Sequence, residues 1–310
     1  MSLRIVIGLG GNALLNKQQQ GFFEEHIETL SKIAPQLVRV ALENEVIVTH
    51  GNGPQVGVIY LQQEHSADVA PPMPLHACVA MSQGLIGYMI QQAITQAALS
   101  MGVKVEVACL ISRVLVERSD PAFQDPCKPI GPSYNRDEAL ALSKRKGWVV
   151  KEVKKGVWKR VVPSPQPREV LELNMVSDLL RKGRIVIAAG GGGVPISDER
   201  ELRGVDAVVD KDLTSSLLAI GIGADILILL TNVKGVYLNY GTPSQVLLRR
   251  IKAKELEKYL ARGYFPPGSM GPKVKAAVEF VSKTGKPSVI GHLKDLERIM
   301  RKETGTLILP

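Results

Sequence analysis

The sequence predicts an α/β protein built on a mainly parallel sheet with helices on both faces. Short β-rich apolar runs alternate with stretches whose apolar residues recur every three to four positions, the order that βαβ units impose. Glycine clusters follow three of these runs, at 10–11, 51–53 and 190–193, and the carboxyl ends of strands are where open α/β sheets bind ligands. The 310 residues suffice to bury such a core. The longest apolar stretches, such as 224–230 interrupted by Asp225, fall far short of the ~20 residues that a membrane span requires.

Residues 3–9 read as the first strand, ending in Gly10-Gly11-Asn12. From 22 to 44, Phe23, Ile27, Leu30, Ala34, Leu37, Val38 and Ala41 keep helical spacing, so an amphipathic helix bent at Pro35 is expected. Residues 45–49 form a second strand that ends in His50-Gly51-Asn52-Gly53-Pro54. The unit repeats as a helix over 78–101, a strand over 103–111, a helix over 170–182 and a strand over 184–189. A helix over 210–220 then leads to the strand 226–230. Helices over 253–262 and 269–283 follow, and short strands at 288–290 and 306–309 finish the chain.

Residues 118–168 break this rhythm, with seven of the 19 prolines, both tryptophans and a run over 148–161 that reads as a β-hairpin turning at Lys155-Gly156. The segment holds twelve Lys/Arg against five Asp/Glu, so +7 of the chain's +9 net charge sits in it. A basic protein binds nucleic acid, membrane surfaces or small anions, and charge alone does not choose among them. Cys78, Cys109 and Cys127 are odd in number and widely spaced, which fits a reducing, cytoplasmic setting without structural zinc. The first strand follows Met1 without an apolar leader, so no secretion signal is expected.

Gly8-Leu9-Gly10-Gly11-Asn12-Ala13 formally matches a dinucleotide fingerprint, but no helix pattern starts directly after it, and a Walker G-x-x-x-x-G-K-[ST] run is absent. An anion cradle of exposed backbone N–H groups and a plain tight turn are the other readings of such a loop. His50 lacks a nearby Ser or Cys partner and reads as a structural residue rather than a base. Lys211 in Asp210-Lys211-Asp212 and Lys273 in Gly268-Ser269-Met270-Gly271-Pro272-Lys273 each stand at a helix start, against the helix dipole. A shared anionic ligand such as phosphate accounts for both, and solvated lysines that happen to lie near helix starts are the other reading.

Leu9-Gly10-Gly11-Asn12-Ala13, the run His50 to Gly57, Lys128-Pro129-Ile130-Gly131-Pro132, the glycines 190–193, Asp210-Lys211-Asp212, Leu230-Thr231-Asn232-Val233, Asn239-Tyr240-Gly241 and Gly268-Ser269-Met270 with Pro272-Lys273 together resemble the carbamate kinases of the amino-acid-kinase superfamily from end to end. Superfamily siblings acting on acetylglutamate and aspartate typically carry a Lys where this chain has Gly8, a departure that favours carbamate kinase. The resemblance implies a single domain (1–310) of fold class α/β, a three-layer αβα sandwich with a small protruding β-containing subdomain. Within it, 1–220 would bind carbamate and the phosphoryl group, 221–310 would bind nucleotide, and 118–168 would be an inserted lid.

The implied reaction is reversible phosphoryl transfer between ATP and carbamate, giving ADP and carbamoyl phosphate, with Mg²⁺ accompanying the nucleotide. Gly10, Gly11, Asn12, Gly51, Asn52 and Gly53 would hold carbamate and the phosphoryl group, and Lys211 and Lys273 would bracket the phosphates. Asp210 would orient the lysines, as a carboxylate between two ammoniums, or the metal's water shell, and Lys128 would cover the carbamoyl phosphate end. Thr231, Asn232, Val233, Tyr237, Ser269 and Met270 would form the nucleotide pocket. A homodimer is implied, with neither nucleic acid nor membrane as partner. Another small-carboxylate kinase of the superfamily and, as a different class, a basic nucleic-acid-binding protein are the alternatives.

Overall fold

Along β1 (Arg4–Leu9) alternate residues bury themselves in two different cores, and this makes the protein three-layered. Ile5, Ile7 and Leu9 pack with Leu30, Leu37, Ile90 and Leu296, whereas Val6 packs with Val176, Leu218, Leu256 and Phe280. The structure, a computed structural model, describes residues 2–10, 14, 21–197 and 201–310. After β1 come α1 (Phe23–Ser31), α2 (Ala34–Ala41), β2 (Glu45–His50), α3 (Gly53–His65), α4 (Leu75–Ser100), β3 (Val107–Cys109) and β4 (Arg113–Leu115). The inserted segment carries β5 (Lys128–Tyr134), α5 (Arg136–Lys146), β6 (Val150–Lys154) and β7 (Val157–Val162). Next are β8 (Glu169–Val170), α6 (Leu173–Arg181), β9 (Ile185–Ile187), β10 (Val194–Ser197), β11 (Arg203–Gly204), α7 (Lys211–Gly221) and β12 (Ile226–Thr231). The remainder forms β13 (Val236–Leu238), β14 (Val246–Leu248), β15 (Arg250–Lys252), α8 (Ala253–Ala261), α9 (Met270–Thr284), β16 (Ser288–His292), α10 (Leu296–Met300) and β17 (Thr306–Leu309).

The central sheet has the order β15-β17-β16-β12-β1-β2-β9-β3. Every pair in it is parallel except β16 with β17. The sandwich expected from the alternating pattern is therefore present. Among the described residues no helix is long and apolar enough to cross a membrane.

Several boundaries differ from the periodicity. The helix expected over 22–44 is two helices, because Pro35 lacks an N–H and its ring excludes the preceding turn; α1 stops at Ser31 and Pro35 enters the first turn of α2. The strand expected over 103–111 shrinks to Val107–Cys109. His50 to Gly57 is more than a loop, since α3 begins at Gly53 with Pro54 in its first turn.

In the basic segment the expected hairpin is β6 and β7, turning through Gly156 at φ 75°. A helix not expected there, α5, has its N-terminus closed by reciprocal bonds between Asn135 and Glu138, and Gly147 ends it in the left-handed conformation. The sheet β5-β7-β6 docks on α3. At that contact a Cβ on Gly57 would lie 1.9 Å from the backbone N of Gly131, so two backbones meet with no side chain between them.

Farther along α3, Glu64 accepts hydrogen bonds from Arg160 Nη1 (2.7 Å), Trp148 Nε1 (3.0 Å) and Lys146 Nζ (3.2 Å). The Arg160 guanidinium lies 4.5 Å from the ring centres of both Tyr60 and Trp148. Basic residues of the segment are thus spent on internal docking, and Trp148 is buried.

Candidate active site

The carboxyl ends of β1, β2 and β12, the glycine turn after β9 and the starts of α3, α7 and α9 surround one cleft of about 530 Å³. That size suits a small-molecule ligand. Gly10, Gly51, Asn52, Gly53, Lys128, Asp210, Lys211, Thr231, Asn232, Val233, Tyr237, Ser269, Met270 and Lys273 all line it. Fourteen positions singled out in the sequence thus meet in one place; Gly11 and Asn12 lie outside the described residues.

The floor is an ion cluster. Lys211, first residue of α7, donates to Asp212 Oδ1 at 2.5 Å, and Lys273 on α9 donates to Asp212 Oδ2 at 2.9 Å. All three residues are buried. The carboxylate between the two ammoniums is therefore Asp212, and the expectation that Asp210 occupies that place is corrected. The reason is helical geometry: Asp210 is the N-cap of α7 and its Oδ1 accepts from the backbone N of Asp212 at 2.9 Å, so its side chain folds back over the helix end. Its Oδ2 instead receives Lys128 of β5 at 2.5 Å.

The charges follow from these partners. Burial disfavours the Lys211 ammonium and lowers its pKa to about 8 despite Asp212, with the Lys273 charge adding to the decrease. Burial also opposes ionisation of Asp212, but Lys211 and Lys273 outweigh it and hold the carboxyl below its ordinary range. For Lys128, desolvation is overcome by Asp210, which raises its pKa above the usual lysine value. His50 is buried, and desolvation brings it down to about 4, so its ring is neutral at pH 7. The Nδ1 atom lies 3.1 Å from the Gly51 carbonyl, and a Cβ on Gly190 would stand 2.3 Å from Nε2. The ring is a packing piece between two glycine loops, as its sequence setting implied.

Close approach explains the glycines. Asn52 Nδ2 donates to Ser82 Oγ at 2.8 Å, while Gly191, at φ 61°, leaves room for the Asn52 amide, which a Cβ there would meet at 2.1 Å. Thr214 Oγ1 of α7 donates to the Gly192 carbonyl at 2.9 Å, tying the glycine turn to the lysine helix. Sequence reasoning missed Asp212, Lys159, Tyr240, Tyr264 and Phe265, which line the same cleft. Asp212 and Tyr240 sat inside quoted motifs; the others had no local signal. Two buried ammoniums sharing one carboxylate, ringed by glycine loops, suit a polyanion whose charge moves during reaction.

Residues 3–292 match the sequence profile described as the amino acid kinase family. The chain is 46% identical over 314 residues to carbamate kinase of Pyrococcus horikoshii, covering 100% of both chains. Among solved structures, carbamate kinase from Giardia lamblia bound to citric acid superposes with a TM-score of 0.94 at 38% identity, over 99% of this chain and 98% of that one. The same enzyme bound to AMP-PNP gives a TM-score of 0.91 at 38% identity, with the same coverage.

Proposed function

The chain belongs to the amino acid kinase family, with the carbamate kinases, and we propose that its cleft transfers a phosphoryl group reversibly between Mg-ATP and carbamate, giving Mg-ADP and carbamoyl phosphate. The observation that carries the reading is the buried Lys211–Asp212–Lys273 cluster at the floor of the cleft. Phosphoryl transfer asks a protein for alignment and charge neutralisation, because the transition-state charge spreads over phosphoryl oxygens. Lys211 and Lys273 neutralise that charge from one side and Lys128 from the other. Asp212 keeps the first two ammoniums charged and fixed in place. Carbamate is already an anion, so its attacking oxygen needs no base, in keeping with a neutral, buried His50.

Gly10, Gly51, Asn52 and Gly53 hold carbamate and the phosphoryl group, with Gly11 and Asn12 assigned to the same task by their place in the motif. Thr231, Asn232, Val233, Tyr237, Ser269 and Met270 hold the nucleotide, in line with the AMP-PNP complex of the Giardia relative. Mg²⁺ enters with the nucleotide as part of the substrate. The donor set suits this: among the described residues no group of three or more His, Cys, Asp or Glu gathers at one point, and both Asp212 oxygens are taken by lysines. Asp210 has one oxygen on Lys128 and the other on the backbone N of Asp212, so neither cleft carboxylate is left free as a direct ligand, and the ion's chemistry would be to offset phosphate charge.

The segment 118–168 acts as a lid that brings Lys128 over the carbamoyl phosphate end. An assay of ATP formation from Mg-ADP and carbamoyl phosphate tests reaction and lid together. Wild type is expected to turn over, and Lys128→Ala to lose well over threefold in kcat/KM for carbamoyl phosphate. An inactive wild type would refute the reaction, and a variant within threefold of an active wild type would refute the lid lysine. A second copy of the chain is assigned to the exposed apolar face of α4, where Met81, Leu85 and Tyr88 share one side and Phe23 of α1 stacks on Tyr88. Sedimentation at a single chain mass would refute the homodimer.

A further inference from the structure

Lys159 is the one lysine of the cleft with no carboxylate partner among the described residues. Lys128, Lys159, Lys211 and Lys273 line the cleft against two carboxylates, Asp210 and Asp212. Asp210 is taken by Lys128, and Asp212 by Lys211 and Lys273. Among the described residues Lys159 Nζ donates to the Gly131 carbonyl alone, at 2.8 Å. That carbonyl is open to it because the β5-β7 register shifts between Ile130 and Tyr134.

The direction of the side chain is set by the pleat of β7. Neighbouring residues of a strand point to opposite faces, and Arg160 is anchored outward against Glu64, Tyr60 and Trp148. Lys159 is thereby turned to the other face, into the cleft. Partial burial lowers its pKa, with no carboxylate among the described residues to offset it. Among the described residues one of its three donors is used and two remain.

We propose that Lys159 is a second anion-binding lysine of the protruding segment, donating to phosphate oxygens of the substrate alongside Lys128. The proposal rests on the phosphoryl-transfer reading above and gives the basic segment a ligand-contacting residue beyond the one that the sequence singled out. Two phosphates are within the chemistry of the cleft, that of carbamoyl phosphate and the terminal phosphate of the nucleotide.

Steady-state ATP formation with the full chain, varying carbamoyl phosphate and Mg-ADP separately, distinguishes them. Lys159→Met, which keeps the stem, and Lys159→Gln are expected to raise KM about tenfold for at least one substrate while kcat falls less than threefold. A rise confined to carbamoyl phosphate identifies its phosphate as the partner, and one confined to Mg-ADP identifies the nucleotide's. Lys159→Arg is expected to return KM to within threefold of wild type, which a purely structural role for the stem would not require. KM values within threefold of wild type in whichever of the Met and Gln variants folds would overturn the proposal, as would failure of Arg to rescue. If wild type itself shows no turnover, the reaction assigned above fails, and calorimetry with inorganic phosphate decides Lys159 alone: tenfold weaker binding in the variant upholds it and unchanged binding overturns it.

Discussion

Lys211→Ala is expected to lower kcat by at least about 10²-fold, the scale of losing a principal transition-state donor. The ammonium it removes is the first residue of α7, buried, 2.5 Å from Asp212 and 3.4 Å from where a Cβ on Gly8 would stand. Leu229 Cδ2 and Thr49 Oγ1 reach the same point above β1 but carry no charge, so the deletion would leave developing phosphoryl charge without its neighbour. Lys273→Ala, on the opposite oxygen of Asp212, is expected to cost a similar factor. The pH profile carries a second signature. Burial sets the Lys211 pKa near 8, and in the phosphate-binding role proposed for it the residue would act only when protonated, that is, below that value. In wild type kcat/KM, which reports the free enzyme, should hold up to about pH 8 and fall tenfold per pH unit above it. Bound phosphates favour the ammonium, so kcat should persist to higher pH than kcat/KM does. In Lys211→Ala the basic limb with this pKa should vanish. Near-normal turnover in the Ala variant would take Lys211 out of the machinery.

Asp212→Asn should destabilise the protein by about 3 kcal/mol at pH 7, because breaking a buried ion pair strands an uncompensated charge, and here two are stranded. Its direction with pH is set by linkage. Without Asp212 the folded-state Lys211 pKa drops further below its unfolded value, so the unfolded chain binds more protons than the folded one and folding suffers most where the unfolded lysine is protonated. The deficit therefore shrinks as pH rises from 7 toward 10. It also shrinks in acid, since the folded Asp212 pKa is depressed: its contribution is present above the ordinary carboxylate pKa and lost as pH falls through the folded value. A bound polyanion replaces the missing charge, so Mg-ADP should raise the melting temperature of Asp212→Asn more than that of wild type. Urea unfolding across this pH range checks the first claim. A variant within 1 kcal/mol of wild type at pH 7 would mean that Asp212 is not what holds the two ammoniums.

The sheet was legible because its strands are buried on both faces and read as unbroken apolar runs, as in Ile226–Thr231, punctuated by glycine at their carboxyl ends. Convergence of those ends placed fourteen described site positions in one cleft. Helices without an apolar stripe were not legible that way. In α5 only Ala139 is buried, and its single signal was the Asn135/Glu138 capping pair with Gly147. α3 hides behind two glycines and a buried Gln55 at its start. The roles of Asp210 and Asp212 separated only in three dimensions, because Lys273 lies 61 positions from Asp212 and Lys128 lies 82 from Asp210. Lys159 depended on the pleat of a strand whose outward face is decided by Glu64, on another element.

The backbone contact between Gly57 and Gly131 bears on how substrate gains access. Side chains between two moving parts act as a lubricated joint, able to slide from rotamer to rotamer. Here the first turns of α3, which grow out of the glycine loop Gly51 to Gly53, touch β5 with no such cushion, two residues after Pro129 lines the cleft. For the lid proposed above, such a joint would have only two settings, seated or separated. Opening of that lid would accordingly be an all-or-none unlatching, with reseating restoring the reach of Lys128 to the same length on every turnover.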